Sequence, residues 1–474
     1  MSLTGAWFTG GQSRAERPVL LTAQGEPITW SVLEALTRDA AGRLAASGVR
    51  RGDRVLLSCA PSVDTIVAYV AILRLGAVVV PANTAYTGRE LQPILAVTGP
   101  SAAVIDDAER LSGLAGPSTV MPATRLTEPS GPGAGTSHDL ALDATDDRAP
   151  ALIGFTSGTT GLPKGAVLSH GNLLAGARSV VEAWEWQADD RLICALPLFH
   201  MHGLGVAVNG TLTAGASMVV LPRFDPEEIV ALSDGATMLF GVPTMWSRLV
   251  DAGVLTRLRH LRLLVSGSAP LDPTLFEAIR SDAGQAPLER YGMTETVMLA
   301  GNPLHGQRRA GSVGVPMPGV QIRLGADGEV QVRGANVFSG YLDQPEATAA
   351  AFTSDGWFRT GDIGELSADG YLSLVGRSSE LIISGGYNVY PREVEDALRA
   401  HPGVIDAAVI GTPDREWGEV VTACVVLAPG VDTTTVSNSL VDALASYKRP
   451  RLWRVVDEIP RNAMGKVVRA ALRE

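Results

Sequence analysis

Apolar residues recur every three to four positions through TWSVLEALTRDAAGRLAASGV (29–49). That spacing predicts an amphipathic helix, with Thr29 as its N-cap and Gly48 as its C-cap. DRVLLSC (53–59) follows as a strand. The most apolar stretch of the chain, TIVAYVAILRLGAVVVPA (65–82), is broken by Arg74, Gly76 and Pro81. It falls short of a membrane span and predicts a buried helix from Val63 to Leu75 that leads into a strand within GAVVVPAN. Helix and strand patterns alternate in this way through the first hundred or so positions, which predicts an α/β fold with parallel strands.

From Ser112 to Pro150 the pattern gives way to Ser, Gly, Pro, Thr and Asp. This region is expected to be an irregular, mobile connector with no chemistry of its own. ALIGFTSGTTGLPKGAVLSH (151–170) then reads as strand, loop and a second strand. VQIRLGADGEVQVRG and GYLSLVGRSSELIISGG predict hairpins, with Asp327-Gly328 and Asp369-Gly370 as turns. PREVEDALRAHPGVIDAAVIG, VVTACVVLAP and TVSNSLVDALASY predict a closing helix–strand–strand–helix unit. The boundary of this small domain is expected near Gly376 to Ser379, giving domains 1–376 and 377–474.

Composition narrows the class without naming a function. With 474 residues, 46% of them hydrophobic and 19% charged, the chain can bury a large core and form more than one domain. A net charge of -11 argues against nucleic acid or an anionic membrane as the main partner. Cys59, Cys194 and Cys424 are far apart and odd in number, as suits a reducing cytosol. MSLTGAWFTGGQS lacks a basic region followed by an apolar core, so no signal peptide is expected, and the expected location is cytoplasmic.

The chain holds 39 basic residues, of which only Lys164, Lys448 and Lys466 are lysines. Lys164 sits in TSGTTGLPKG (156–165), where Thr156, Ser157, Thr159 and Thr160 offer hydroxyls. Gly158, Gly161 and Gly165 let backbone amides turn inward, so the loop can wrap an anion that the lysine neutralises. It is not a Walker loop, because Pro163 precedes Lys164 and no Ser or Thr follows it. On these residues alone, a surface turn stays open as the alternative.

Companion motifs decide between the two. TSGTTGLPKG resembles the signature of the adenylate-forming acyl-CoA synthetase superfamily. PLFHMHG (197–203), SGSAPL (266–271), YGMTET (291–296), RTGD (359–362), GR (376–377), SGGYNVYPREVE (384–395) and PRNAMGK (460–466) follow in the family's order. The resemblance covers the chain from about Thr29 to its end. It implies a large N-terminal domain of α/β subdomains with an accessory β-barrel-like part, and a small mobile α+β C-terminal domain. It also implies ATP, Mg²⁺ and coenzyme A, and a reaction that forms an acyl-adenylate and then a thioester.

Residue roles come with the same resemblance. Thr156, Ser157, Gly158, Thr159, Thr160, Gly161 and Lys164 would hold the β- and γ-phosphates. Glu295 would ligate Mg²⁺ together with Thr156, and Thr294 would donate to the α-phosphate. Ser268, Ala269 and Tyr291 would frame the adenine, beside Gly292 and Met293. Asp362 and Arg377 would bind the ribose. Lys466 would reach the substrate carboxylate and α-phosphate during adenylation, then give way to a loop whose Gly385 and Gly386 line the pantetheine tunnel. Lys448 is left as a surface or coenzyme-facing charge. A lysine-acylating enzyme acting on Lys466 would silence catalysis by removing its charge.

The acid is narrowed by two arginines. A dicarboxylate keeps one ionised carboxylate after the other is adenylated, and a guanidinium can bind that charge bidentately. PLFHMHGL, GATMLFGVPTM, RLLVSGSAPL and ERYGMTET are most similar to the malonyl- and methylmalonyl-CoA synthetases, in which arginines at the positions of Arg248 and Arg290 are associated with the distal carboxylate. Met298 is carried over as a pocket residue, His200 is assigned to positioning the carboxylate, and His202 is taken as structural. Arg290 could instead pair with Glu289. A short- or medium-chain monocarboxylate:CoA ligase, an adenylation enzyme serving a separate carrier protein, and a non-catalytic binding relative are the alternatives.

Overall fold

Thr29 opens the first long helix as its spacing predicts: its hydroxyl accepts from Val32 N at 3.3 Å, and the helix runs Trp30–Ala46. Trp30, Leu33, Thr37, Ala40, Ala41 and Leu44 form its buried stripe. Ser47 is the cap, and Gly48, at φ 102°, makes the left-handed exit one residue later. The apolar stretch becomes the helix Val63–Arg74, buried on every side from Thr65 onward. Arg74 is only 2% exposed and pairs with Asp143 at 3.0 Å. Among the described residues, no helix is long and apolar enough to cross a membrane.

The structure, a computed structural model, describes residues 1–9, 14–128, 140–156, 164–377, 380–384, 387–415, 417–441, 443–462 and 465–473. They divide into two units, Met1–Gln321 with Val332–Phe358, and Ile322–Gln331 with Arg359–Glu474. The first unit carries two large sheets. A nine-stranded sheet has a parallel middle in the order Leu288–Tyr291, Leu263–Ser266, Met238–Gly241, Arg191–Cys194, Ser217–Val220, Pro18–Leu21. A seven-stranded sheet runs Gly340–Tyr341, Lys164–Ser169, Pro150–Thr156, Val78–Pro81, Arg54–Ser58, Ala102–Ile105, Thr119–Met121. Its inner strands are buried along their length, which is why they read as unbroken apolar runs rather than alternating ones.

The stretch from Ser112 to Pro150 departs from expectation. Thr119–Met121 is a strand, paired in parallel with Ala102–Ile105 at the sheet edge, and Thr124–Thr127 is a short helix. Arg43 donates to the carbonyls of Leu126 and Glu128 and holds this segment in place. Asp143 leaves the same stretch to neutralise buried Arg74. A three-residue edge strand needs only backbone pairing, so its composition carries no signal.

A four-stranded open sheet, Val320–Leu324, Glu329–Gly334, Phe358–Leu366 and Leu372–Arg377, is the barrel-like accessory part. Asp327-Gly328 and Asp369-Gly370 are its turns, with Gly328 and Gly370 at φ 75° and 87°. GYLSLVGRSSELIISGG is not a hairpin in itself. Leu372–Arg377 pairs with the preceding strand Phe358–Leu366, and Ile382–Ser384 joins the C-terminal sheet. That sheet packs Val404–Asp414 against Gly418–Leu427, with Pro391–Arg399 supplying Val394 and Leu398 to the core.

Candidate active site

Parallel strands in one sheet all end at the same edge, and ligands of open α/β sheets bind outside that carboxyl edge. Four of the motif segments emerge there. PLFHMHG follows Arg191–Cys194, the helix Pro243–Asp251 follows Met238–Gly241, Gly267 to Ala269 follow Leu263–Ser266, and Arg290 and Tyr291 end the strand Leu288–Tyr291. The backbone is irregular in this region. His202–Val208 is a π-helix, with Val206 N donating to Met201 O at 2.9 Å. Ser268 and Val297 stand at φ 74° and 59°, conformations that non-glycine residues rarely keep outside functional sites. Gly203 permits the first turn, since a Cβ there would lie 2.2 Å from Pro197 O.

Arg290 is the most unusual group on this edge. Its residue is 5% exposed, and its Nη2 donates to Ser268 Oγ at 3.3 Å. Nε is buried without a hydrogen-bond partner, and no carboxylate pairs with the guanidinium among the described residues. Burial pushes it down to about 9. The neighbouring Glu289 accepts from Leu271 N at 3.1 Å instead, because adjacent residues of a strand face opposite ways. Gly267 makes room for the guanidinium, since a Cβ there would come within 2.4 Å of Nε. Ser268 Oγ also lies 3.3 Å from His202 Nδ1. Burial, with Arg290 and His200 nearby, holds the His202 imidazole well below its ordinary range, so it is neutral. His202 therefore belongs to the polar chain around Arg290 as well as to the packing against Phe240, with ring centroids 6.2 Å apart. His200 is half-buried, and its Nδ1 accepts from His202 N at 3.2 Å.

A second cluster forms where the two sheets' motifs meet. Glu295 is 4% exposed, and Tyr341 donates its hydroxyl to Glu295 Oε1 at 3.0 Å. Burial first, and Glu295 second, push the Tyr341 phenol up, so it stays a donor. Lys164 Nζ lies 5.3 Å from the centroid of the same ring. Thr294 packs its methyl against the strand at Gly154, where a Cβ would come within 2.4 Å of Thr294 Cγ2. Asn336 Nδ2 donates to Thr296 O and Met298 O at 2.8 and 2.7 Å, which fixes the YGMTET turn.

The second unit presents its own set. Asp362, 5% exposed, pairs with Arg377 Nε at 3.0 Å across adjacent strands, and its backbone N donates to Thr360 Oγ1. Lys466 is exposed on a tight turn closed by reciprocal bonds: Lys466 N donates to Asn462 Oδ1 at 3.0 Å and Asn462 N to Lys466 O at 2.9 Å. Gly465 at φ 75° lets the turn close. Lys448 is locked to Glu393 Oε1 at 2.5 Å, and that bond raises its affinity for the proton.

Arg290, Ser268, Ala269, Tyr291, Gly292, Met293 and Thr294 thus lie on one edge, with Lys164 and Glu295 joined through Tyr341. Met298 is fully buried behind them. Arg248 stands apart in environment: it is exposed, the sixth residue of its helix, whereas Arg290 is buried. Ser157, Gly158, Thr159, Thr160, Gly161, Gly385 and Gly386 lie outside the described residues, and Thr156 ends its strand as the backbone partner of Lys164. Tyr341 is not singled out by sequence, because its two-residue strand Gly340–Tyr341 carries no pattern of its own and reaches the Lys164 segment only by backbone pairing.

Comparisons with known proteins agree with this geometry. Residues 9–342 match the AMP-binding enzyme family, and residues 393–466 match the AMP-binding enzyme C-terminal domain. A mitochondrial malonate–CoA ligase of Mus musculus is 37% identical, over 88% of this chain and 80% of the relative. A feruloyl-CoA synthase of an Amycolatopsis species is 35% identical, over 99% of this chain and 98% of the relative. The crystal structure of ATP-bound MatB from Rhodopseudomonas palustris superposes with a TM-score of 0.94 at 39% identity, covering 100% of this chain and 98% of that one. The chain belongs to the AMP-binding enzyme family and, within it, to the AMP-forming acyl-CoA synthetases.

Proposed function

We propose that the protein is an ATP-dependent carboxylate:CoA ligase acting on malonate or methylmalonate. One carboxylate oxygen of the acid attacks the α-phosphorus and pyrophosphate leaves. The thiolate of coenzyme A then attacks the acyl carbonyl and AMP leaves, giving the thioester. The main catalytic task in the first step is to bring an anion to a polyphosphate, which fixed cations and donors accomplish. Lys164 is assigned to the β- and γ-phosphates, Asp362 and Arg377 to the ribose, Tyr291 to the adenine, His200 to the reacting carboxylate, and Lys466 to the carboxylate and α-phosphate.

The observation that carries the choice of acid is Arg290, a buried cation at the carboxyl edge of the sheet with no carboxylate partner among the described residues. A desolvated guanidinium is costly unless an anion compensates it, and the distal carboxylate of malonate is such an anion. A monocarboxylate would leave it uncompensated. The malonate–CoA ligase named among the relatives supports the same choice.

Mg²⁺ fits the residues present. No cluster of three His, Cys, Asp or Glu among the described residues could enclose a metal. Mg²⁺ does not need one, since it binds through one or two carboxylates and substrate phosphates. Glu295, buried and oriented by Tyr341, is the carboxylate that would hold it, and the ion would neutralise phosphate charge. Buried free Cys59, Cys194 and Cys424 suit a reducing compartment such as the cytoplasm.

The test is pyrophosphate release over straight-chain monocarboxylates from acetate to decanoate and the matching dicarboxylates, with and without coenzyme A. Malonate is expected to give the highest kcat/KM. A preference for butyrate or longer monocarboxylates would overturn the choice of acid and leave the acyl-CoA ligase standing.

A further inference from the structure

Tyr341 has no assigned part in the reaction, yet it touches both charged groups proposed to handle the triphosphate. Its strand, Gly340–Tyr341, pairs antiparallel with Lys164–Ser169, placing Tyr341 opposite Ala166 and diagonal to Lys164. Diagonal neighbours in a sheet are within reach of aromatic and long side chains. The backbone is pinned at three points. Tyr341 N donates to Thr348 Oγ1 at 2.9 Å, Leu342 N to Gly165 O at 2.8 Å, and Phe338 N to Glu295 O at 2.8 Å. The ring is braced edge-on by Phe338, with centroids 4.9 Å apart. So placed, the hydroxyl reaches Glu295 Oε1 at 3.0 Å while the ring face lies 5.3 Å from Lys164 Nζ.

We propose that Tyr341 is a positioning residue for nucleotide binding, with two separable functions. Its hydroxyl orients the Glu295 carboxylate for the divalent cation of the nucleotide. Its ring holds the Lys164 ammonium over an aromatic face, where a cation is attracted by the quadrupole and kept from wandering on its long stem. One side chain thereby sets the spacing between the cation-binding carboxylate and the phosphate-binding lysine. Residues that orient a metal ligand by hydrogen bonding typically change metal affinity about 10- to 100-fold when removed. This inference rests on the proposed role of Glu295.

The test uses ATP binding by calorimetry on the full chain, with the Mg²⁺ concentration varied, and again in EDTA. Tyr341→Phe keeps the ring and loses the hydroxyl. It is expected to raise the Mg²⁺ needed for half-maximal ATP binding about 10- to 100-fold. Metal-free ATP binding should change far less than this, and the melting temperature should fall by a few degrees, because buried Glu295 loses a donor. Tyr341→Leu removes the ring too, and is expected to weaken metal-free ATP binding by about two- to fivefold in addition. Glu295→Gln is the reference. If it raises the Mg²⁺ requirement and Tyr341→Phe does not, the orienting function is overturned while the role of Glu295 stands. If Glu295→Gln leaves the requirement unchanged, the role of Glu295 falls and the inference with it. Should Tyr341→Leu fail to fold, the phenylalanine variant still decides the hydroxyl's part.

Discussion

Replacing Arg290 with Met tests the choice of substrate and the physics behind it together. Arg290 is buried, with a long hydrogen bond to Ser268 and no anionic partner among the described residues. Its fall from the ordinary guanidinium range to about 9 corresponds to roughly 5 kcal/mol of penalty on the charged form in the absence of substrate. Methionine has similar length, no charge, and the flexibility to fill the slot above Gly267. The free variant should therefore be as stable as wild type or more stable, by up to a few kcal/mol, as removal of an uncompensated buried charge requires.

The effect on malonate should be opposite. Without the guanidinium, the distal carboxylate is stranded in a desolvated pocket, at about 2–5 kcal/mol. That is a loss of about thirtyfold to several thousandfold in kcat/KM. Butyrate has no second charge to strand, so its kcat/KM should hold or rise. The assay is coupled pyrophosphate release with malonate and butyrate, alongside thermal melts with and without malonate. Malonate should raise the melting temperature of wild type and not of Arg290→Met. Since Arg290 adjoins Tyr291, ATP affinity is measured in the same variant, and a change there would lower both substrates alike. An unchanged malonate-to-butyrate ratio in Arg290→Met, or a wild type that prefers butyrate, would refute the reasoning. Arg248→Leu, on an exposed side chain, should shift the ratio far less.

Three further outcomes are expected. Lys466→Ala should lower adenylate formation by about 10²–10³-fold, the scale for loss of one charge-stabilising group, while thioester formation from supplied acyl-adenylate survives. Equal loss in both half-reactions, measured separately, would remove its step-specific role. Asp362→Asn should abolish discrimination between ATP and 2′-deoxyATP in a binding assay, and an unchanged ratio of affinities would remove Asp362 from the ribose. His170 is pushed down to about 4 by burial, and its Nδ1 accepts from Leu3 N, which ties down the N-terminal helix. The unfolded chain takes up that proton first, so the site's stabilisation is complete above its ordinary value of 6.5 and is lost as pH falls through about 4. The amount is about 3 kcal/mol. Melts across this range should show a smaller acid-induced drop in His170→Gln than in wild type.

Much of this protein was determined by local sequence. Helix Trp30–Ala46 follows from a hydroxyl cap and a repeating apolar stripe, and the inner strands follow from unbroken apolar runs between turn residues. Both are set by neighbours along the chain, so short windows reveal them. The motif order likewise carried the reaction class, because chemistry on a nucleotide demands particular side chains at particular spacings. The strand Thr119–Met121 stayed hidden, since an edge strand is made by its partner's backbone and not by its own side chains. Which arginine is buried was also undetermined by sequence. Arg248 and Arg290 look alike along the chain, yet only Arg290 sits on a strand whose face is covered. The joining of Lys164, Tyr341 and Glu295 was decided by tertiary structure alone. Two sheet strands far apart in sequence had to pair before one phenol could reach both charges, and only packed backbones fix distances of that kind.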